Sequence, residues 1–406
     1  MRLISLAIGC LATLASATVL QNGQVRENPY PGQAPEVTIA ANSTWKSYPQ
    51  DAPELSYKGR WDSQYISWWS APGLKFGFTG PRVAIDFGPH TSPGTLVAYR
   101  LGGQDWQFSN VTADATYQFI SAETTGFNLT KPESVRTFEL RVQLAGVHTD
   151  KDGELVKLDD FPTTIEIIGD SLSAGQYGTY EGISSWAWNF GTGLGNVEFS
   201  ITAYPGICVA DKECWGNQHG QEYQWYKTSD TSSRAAKIYG NEPEIWDFST
   251  KTPADLVVIN LGTNDYNEAN NVTGEDFTKS YISLIDGVHE VWPKAQIVIF
   301  ALWNGFSPLG DSYYEQGAFV PEIYSIYQHF AQKAEYPESQ YVHYFNTTGI
   351  LQHNDIGPQW HPTDVGQIKL ASHLQQYVKL KFGYEFWATG PEVQHGTLYW
   401  NDEPNY

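Results

Sequence analysis

The spacing of hydrophobic residues changes between the two halves of the chain. In the first half, apolar and polar residues alternate in short runs. These runs are Leu74, Phe76 and Phe78, then Val83, Ile85 and Phe87, and later Phe138, Leu140, Val142 and Leu144. Alternation is typical of half-buried strands, and Gly80-Pro81 between the first two runs predicts a hairpin. Because no long helical pattern appears, residues 51–155 are predicted to form an all-β, jelly-roll-like sandwich.

After a charged junction that ends in Phe161-Pro162, strand-like and helix-like patterns alternate. The strand-like runs are residues 164–168, 197–203, 256–261, 296–302 and 341–345. The clearest helix has one apolar face, formed by Phe277, Tyr281, Leu284, Ile285, Val288 and Val291. A closing helix begins near Thr363 and is expected to bury Val365, Ile368, Leu374 and Val378. This alternation predicts an α/β fold over residues 163–385, a three-layer α/β/α domain with a mostly parallel sheet.

The first seventeen residues have the features of a secretory signal peptide. A basic residue, Arg2, precedes an apolar run over residues 3–14, and Ala15-Ser16-Ala17 follows as a cleavage site. The run is too short to span a bilayer, and a buried first helix is the alternative interpretation. We therefore expect a secreted, extracellular protein. Residues 18–50, rich in Pro, Gly, Asn and Gln, are expected to be an extended lead-in, and residues 386–406 an aromatic tail.

Export is also indicated by glycosylation sequons and by the use of cysteine. Five Asn-x-Ser/Thr sequons predict N-glycosylation at Asn42, Asn110, Asn128, Asn271 and Asn346. Cys10 leaves with the signal peptide, so Cys208 and Cys214 are expected to form a disulfide in an oxidising compartment. Two cysteines without a histidine cluster make a poor zinc site, and no metal is expected.

Charge and composition restrict the class of partner. With 24 basic and 45 acidic residues, the formal net charge is −21. Such a surface repels nucleic acid and anionic membranes, so neither is expected as a partner. Aromatic residues make up 15% of the chain, and their faces suit sugar rings as well as protein cores. The oligomeric state is left open by these patterns.

Candidate chemistry begins where the first strand of the α/β region ends. The apolar run over residues 165–168 leads into Gly169-Asp170-Ser171, followed by small residues and a helical pattern. In an α/β protein, ligands bind at the carboxyl ends of the strands, and Ser171 is a candidate nucleophile there. The same three residues also make a good turn or helix N-cap, which is the structural alternative.

Three further residues follow later elements. Gly206 comes after the second strand, where its N–H can approach a bound oxygen. Asn264 follows the third strand in Gly262-Thr263-Asn264-Asp265, and its side chain can donate to an oxyanion. His361 lies in a loop before the last helix, from which an imidazole can reach a serine. A turn glycine, an Asx-turn and a structural histidine are the respective alternatives.

Together these four positions resemble the blocks of the SGNH (GDSL) hydrolase family, over roughly residues 163–382. The resemblance implies that Ser171 is the nucleophile and His361 the general base. It also implies an oxyanion hole formed by the Ser171 N–H, the Gly206 N–H and the Asn264 side chain. Hydrolysis of this kind requires no metal or organic cofactor.

The chain departs from the family pattern at the residue that orients the histidine. The usual pattern is Asp-x-x-His, but Pro358 stands three residues before His361. Asp355 lies six residues before the histidine and Asp364 three residues after it. A backbone carbonyl of residues 357–360 can accept the Nδ1–H bond instead. We therefore favour a Ser–His dyad over a triad that uses Asp355 or Asp364.

A β-sandwich followed by such a domain and a dyad resembles carbohydrate esterase family 2, whose members remove acetyl groups from plant polysaccharides. The resemblance implies an acetylated polysaccharide or oligosaccharide as substrate, with the polysaccharide and the acetyl position left open. Trp303, Trp360 and Trp215 are candidates to stack on a sugar ring, and ordinary packing is the alternative for each. The rival functions are an esterase or lipase that acts on other small or lipid esters, and a non-catalytic glycan-binding protein.

Overall fold

A computed structural model describes most of the chain. The described residues are 20–21, 24–25, 34–40, 44–92, 95–104, 106–124, 127, 136–140, 144–240, 242–336 and 339–387. The predicted signal peptide, the sequons at Asn42 and Asn128 and the tail beyond residue 387 lie outside them. Among the described helices, none is long and apolar enough to cross a membrane.

Two antiparallel sheets form the β-sandwich of the first half. One sheet has the order β3 (Trp45–Pro49), β11 (Gly146–Asp150), β6 (Val83–Phe87) and β9 (Ala115–Ile120). The other has the order β5 (Ser67–Phe78), β10 (Arg136–Leu140), β7 (Thr95–Leu101) and β8 (Gln107–Val111). Strands β4 (Ser56–Trp61) and β12 (Leu155–Val156) also pair with β5, and β1 (Leu20–Gln21) pairs with β2 (Gln24–Val25).

Two sequence predictions for this region are wrong. Strands β5 and β6 do not form a hairpin, because the Gly80-Pro81 turn carries the chain from one sheet to the other. Their alternating apolar residues face each other across the sandwich core, so the alternation correctly identified the buried face but not the partner strand. In addition, residues 45–49 belong to strand β3 rather than to an extended lead-in, and they pair with β11.

A parallel sheet forms the centre of the second half. Its order is β19 (Val342–Phe345), β16 (Gln296–Phe300), β15 (Leu256–Asn260), β13 (Thr163–Gly169) and β14 (Val197–Ala203). The helices are α1 (Ser171–Ala174), α2 (Trp186–Leu194), α3 (Gln221–Gln224), α4 (Ser233–Tyr239), α5 (Thr263–Tyr266), α6 (Gly274–Val291), α7 (Val320–Lys333) and α8 (Asp364–Phe382). A two-stranded hairpin of β17 (Leu302–Leu309) and β18 (Ser312–Ala318) follows β16.

Apolar residues cover both faces of this sheet, as the predicted three-layer α/β/α fold requires. On one face, Val257 and Ile259 pack in a core with residues of α6 and α7. On the other, Leu256 and Val258 pack with residues of α2 and α8. Because neighbouring residues of one strand enter opposite cores, these strands are nearly continuous hydrophobic runs.

The buried face of α8 differs from the prediction. Leu374 and Val378 are buried as expected, but Val365 and Ile368 are 58% and 55% exposed. The first turn instead turns Gly366 and Gln367 inward. The reason is local: a side chain at Gly366 would clash with the Asp355 carbonyl, and the Gln367 carboxamide accepts the Trp186 N–H at 2.7 Å.

A buried ion pair joins the sandwich to the parallel sheet. Arg60 of β4 donates to Glu166 of β13 at 3.1 Å, and both side chains are at most 8% exposed. Arg60 also donates to the carbonyl groups of Trp225 and Lys227, and Glu166 accepts the Thr202 hydroxyl at 2.6 Å. Hydrogen bonds on several sides offset the cost of removing these charges from water.

Replacement of Arg60 by Ala is expected to lower the free energy of unfolding by about 3–5 kcal/mol, because Glu166 then stays buried without its charge partner. Urea-induced unfolding followed by tryptophan fluorescence measures this change. Lys46→Ala is the matched control, since it removes a solvent-exposed surface pair with Glu154 and is expected to change stability little. Equal effects of the two substitutions would contradict the role given to the buried pair.

Candidate active site

The register of the parallel strands brings three of the candidate residues to one edge of the sheet. Gly169 at the end of β13 lies opposite Ala203 of β14 and Asn260 of β15. Ser171, Gly206 and Asn264 therefore follow three neighbouring strands that end at the same level. This is the edge at which open α/β sheets bind ligands.

Ser171 is the first residue of α1, directly after a tight turn. Asp170 caps the helix by accepting the Leu172 N–H at 2.9 Å, and a side chain at Gly169 would clash with Ser173. The N–H groups of a first helical turn have no intrahelical acceptor, so the Ser171 N–H makes no hydrogen bond within the helix and is available to a ligand. The Ser171 residue is buried, with 4% of its surface exposed.

His361 contacts Ser171 through one ring nitrogen and the backbone through the other. Its Nε2 lies 2.8 Å from Ser171 Oγ, and its Nδ1 lies 2.8 Å from the Gln359 carbonyl oxygen. A carbonyl only accepts, so Nδ1 carries the proton and Nε2 is left to accept the serine hydroxyl. Gln359 and Trp360 have φ of 51° and 66°, a left-handed backbone that is uncommon without glycine.

The protonation state of His361 follows from its surroundings. Burial lowers the pKa of His361 from its ordinary value of 6.5, while the backbone carbonyl groups of Gln359 and Pro358 partly oppose that shift. A lowered pKa keeps the ring neutral at neutral pH, which is the state required of a general base.

Neither aspartate considered as a triad partner is directed to His361. Asp355 is 3% exposed, and its carboxylate accepts Lys369 Nζ at 2.7 Å and the Gln352 N–H at 2.8 Å. Asp364 accepts the Thr179 N–H at 2.9 Å and the Thr179 hydroxyl. Within the described residues, no carboxylate hydrogen-bonds the His361 ring.

Gly206 lies in the loop that follows β14, two residues before the disulfide-bonded Cys208. The predicted bond between Cys208 and Cys214 is present, so these sulfur atoms are not metal ligands. Gly206 has φ of +82°, and a Cβ there would lie 2.8 Å from Trp215 Cβ. The backbone therefore needs glycine at this position. In the described part of the chain, no group of three or more His, Cys, Asp or Glu residues is arranged to hold a metal ion.

Asn264 and Asp265 attach helix α5 to the same loop. The Asn264 Nδ2 donates to the Ile207 carbonyl at 2.9 Å, which uses one of its two hydrogens. The Asp265 carboxylate accepts the N–H groups of Val209 and Ala210 at 2.9–3.1 Å. Burial raises the pKa of Asp265 to about 6. The loop that bears Gly206 is thus fixed relative to Asn264.

Sequence reasoning missed three residues of the site. The Tyr177 ring contacts His361 edge-to-face with centroids 5.0 Å apart, and it is 42% exposed. Gln221 Nε2 joins two strand ends by donating to the carbonyl groups of Gly169 and Thr202. Asp265 is the third. Only Asp265 carried a sequence signal, because it follows Asn264 directly in the sequence Gly262-Thr263-Asn264-Asp265.

The three predicted tryptophans have different positions. Trp360 is 51% exposed beside His361, and its ring lies against Gly305, where a Cβ would be 2.3 Å from it. Trp215 is 59% exposed beside Gly206. Trp303 is 1% exposed and donates to the Trp360 carbonyl at 3.3 Å. The prediction that Trp303 stacks on a sugar is wrong, because the indole is enclosed by protein.

Three predicted sequons lie in the described part of the chain. Asn110, Asn271 and Asn346 are all exposed, so glycosylation there remains a prediction with an accessible acceptor.

Residues 167–367 match the family model of the GDSL-like lipase/acylhydrolase family. A search of curated proteins finds no match.

Solved structures match most of the chain. An acetyl xylan esterase from the rumen bacterium Butyrivibrio proteoclasticus has a TM-score of 0.65 at 17% identity, covering 84% of this chain and all of its own. A family two carbohydrate esterase from Clostridium thermocellum, solved with cellohexaose, has a TM-score of 0.62 at 19% identity, covering 81% and 99%. A carbohydrate esterase family 2 enzyme from Corynascus thermopiles (Myceliophthora fergusii) gives 0.62 at 16%, covering 81% and 100%.

At these identities the structural likeness establishes a shared fold, a β-rich N-terminal region followed by an α/β domain. The segment matched by the family model contains Ser171, Gly206, Asn264 and His361. These findings support an esterase or acylhydrolase activity. Residues 167–367 therefore form a domain of the GDSL-like lipase/acylhydrolase family, carried by a chain with the fold of the family 2 carbohydrate esterases.

Proposed function

We propose that this protein is a secreted carbohydrate esterase that hydrolyses acetyl esters on plant polysaccharides with a Ser–His dyad. The observation that carries the proposal is the contact between Ser171 Oγ and His361 Nε2 at 2.8 Å, with His361 Nδ1 bonded to a backbone carbonyl. In this proposal, residues 163–385 form the catalytic domain and residues 51–155 the sandwich domain.

The reaction proceeds through an acetyl-enzyme. His361 Nε2 takes the Ser171 hydroxyl proton as Ser171 Oγ attacks the acetyl carbonyl carbon. The tetrahedral intermediate collapses, the bond to the sugar oxygen breaks, and His361 returns the proton to that oxygen. Water then attacks the acetyl group with the same proton transfers, releasing acetate and regenerating the serine.

The negative charge that develops on the carbonyl oxygen of the intermediate is stabilised by N–H donors that follow three strand ends. These are the Ser171 N–H, the Gly206 N–H and the second Nδ2 hydrogen of Asn264. Fixed donors at the position where charge develops cost no reorganisation during the reaction, and one such donor is worth roughly 3–4 kcal/mol. The bond that Asn264 donates to the Ile207 carbonyl and the bond that Asp265 accepts from the Val209 N–H hold the donors in place beforehand.

A sugar suits the surroundings of the dyad. Exposed rings of Tyr177, Trp360 and Trp215 lie around the site and can stack on sugar faces. The acetyl xylan esterase among the matching structures agrees with this substrate class. The predicted signal peptide and sequons support secretion as a glycoprotein.

Ser171→Ala is expected to abolish acetate release, because no nucleophile remains to form the acetyl-enzyme. Acetate is measured from acetylated xylan, mannan and glucan, and from p-nitrophenyl acetate. The far-ultraviolet circular dichroism and melting temperature check that the variant is folded. Undiminished turnover by the folded variant would refute the nucleophile. A preference of the wild type for p-nitrophenyl octanoate over the acetate would refute the substrate class.

The acid side of the pH profile is expected to report His361. The base must be neutral, so kcat/KM falls as the pH drops through the His361 pKa, and the midpoint is expected below 6.5. Asp265→Asn serves as a control because the buried Asp265, with its pKa raised to about 6, titrates in the same range. If the limb disappears in this variant, the titrating group is Asp265 and the assignment fails.

Asp355→Asn and Asp364→Asn are each expected to retain most of the esterase activity, since both carboxylates bond to groups other than His361. The kcat for p-nitrophenyl acetate is measured below the melting temperature of each variant. A loss approaching ~10⁴-fold in either one would identify a triad aspartate and disprove the dyad.

A further inference from the structure

A groove of about 580 Å³ lies between the β17–β18 hairpin and the start of α7. Its lining includes Tyr266, Leu302, Tyr314, Glu315, Gln316 and Thr348. Tyr266 is the last residue of α5, the short helix that also bears Asn264. Leu302 adjoins the same segment, because a Cβ at Gly262 would lie 2.9 Å from Leu302 Cδ1. The groove and the proposed oxyanion hole therefore share helix α5.

Two exposed tyrosines give this groove its aromatic surface. Tyr266 is 44% exposed and Tyr314 is 59% exposed. The Tyr266 ring is held edge-to-face by Phe319, with centroids 5.1 Å apart. A ring that is fixed before binding loses little conformational entropy when a ligand covers it.

The polar residues of the groove suit hydroxyl groups. Glu315 Oε2 accepts the Gly349 N–H at 2.8 Å, and among the described contacts its second oxygen accepts no hydrogen bond. Gln316 adds an amide that can both donate and accept. Glu322 also lines the groove, and no lysine or arginine is among its described lining residues. Acidic lining in a chain of net charge −21 disfavours a polyanionic ligand.

From these observations we infer that the groove binds an uncharged stretch of the polysaccharide backbone beside the acetylated sugar, with Tyr266 and Tyr314 as stacking surfaces. This inference rests on the proposed function and extends it to the substrate class. The inference favours neutral backbones such as xylan, mannan or glucan over polymers of uronic acids. The volume of the groove also falls within the range of ordinary ligand sites.

Tyr314→Ala tests the inference with Tyr313→Ala as its matched control. Tyr313 is the neighbouring residue on β18 and is 51% exposed, but its ring stacks on His353 outside the groove. Loss of the Tyr314 ring is expected to reduce kcat/KM on acetylated polysaccharide about 3- to 10-fold, the effect of one aromatic contact. Turnover of p-nitrophenyl acetate is expected to stay unchanged, and Tyr313→Ala is expected to affect neither substrate.

Unchanged kinetics of Tyr314→Ala on the polymer would overturn the inference. An equal loss on p-nitrophenyl acetate would also overturn it, since the residue would then act on the whole site. Binding separates this result from the proposed function. Ser171→Ala is expected to bind deacetylated neutral polysaccharide but not polygalacturonate in affinity electrophoresis, and Ser171→Ala/Tyr314→Ala is expected to bind more weakly. That binding pattern, together with a wild-type protein that releases no acetate from any of the acetylated polymers, would refute the proposed function and leave the groove assignment standing.

The same measurements are repeated after enzymatic removal of N-glycans. The sequon of Asn346 ends at Thr348, which lines the groove. Polysaccharide binding is expected both before and after glycan removal. Binding that appears only afterwards would show that a glycan of this chain occupies the groove, and would overturn the inference.

Discussion

The common level at which β13, β14 and β15 end is the constraint on which the site depends. Gly169 opposite Ala203 and Asn260 fixes where each following loop begins. A slip of one residue would exchange the faces of a strand and turn its residues toward the wrong core. Because apolar cores cover both faces of the sheet, the packing that stabilises the fold also sets the spacing of the loops that bear the site.

Backbone rather than carboxylate orients the histidine, and this changes how the local charges are used. The Gln359 carbonyl fixes the ring and its tautomer, but it adds no full negative charge to stabilise an imidazolium. The two nearby aspartates instead hold the surrounding chain: Asp355 bonds to Lys369, and Asp364 bonds to Thr179. Carboxylates thus position the loop, and the loop positions His361.

Much of this arrangement could be predicted from sequence, because the pattern of a buried parallel strand is local. The strand ends before Ser171, Gly206 and Asn264 follow from such runs, and the loop that supplies a carbonyl to His361 follows from Pro358. The partner of β5 did not follow, since alternation reports a buried face and not which strand lies alongside it. Trp303 could not be assigned either, because burial of an indole depends on residues distant in sequence.

The hairpin β17–β18 connects the two halves of the proposed specificity. Trp303 at its start donates to the Trp360 carbonyl, and Gly305 supports the Trp360 ring, directly before His361. Farther along, Tyr313 stacks on His353, and Glu315 lines the groove while accepting the Gly349 N–H. The β17–β18 hairpin therefore contacts the loop that orients His361 and also lines the groove proposed for the polysaccharide.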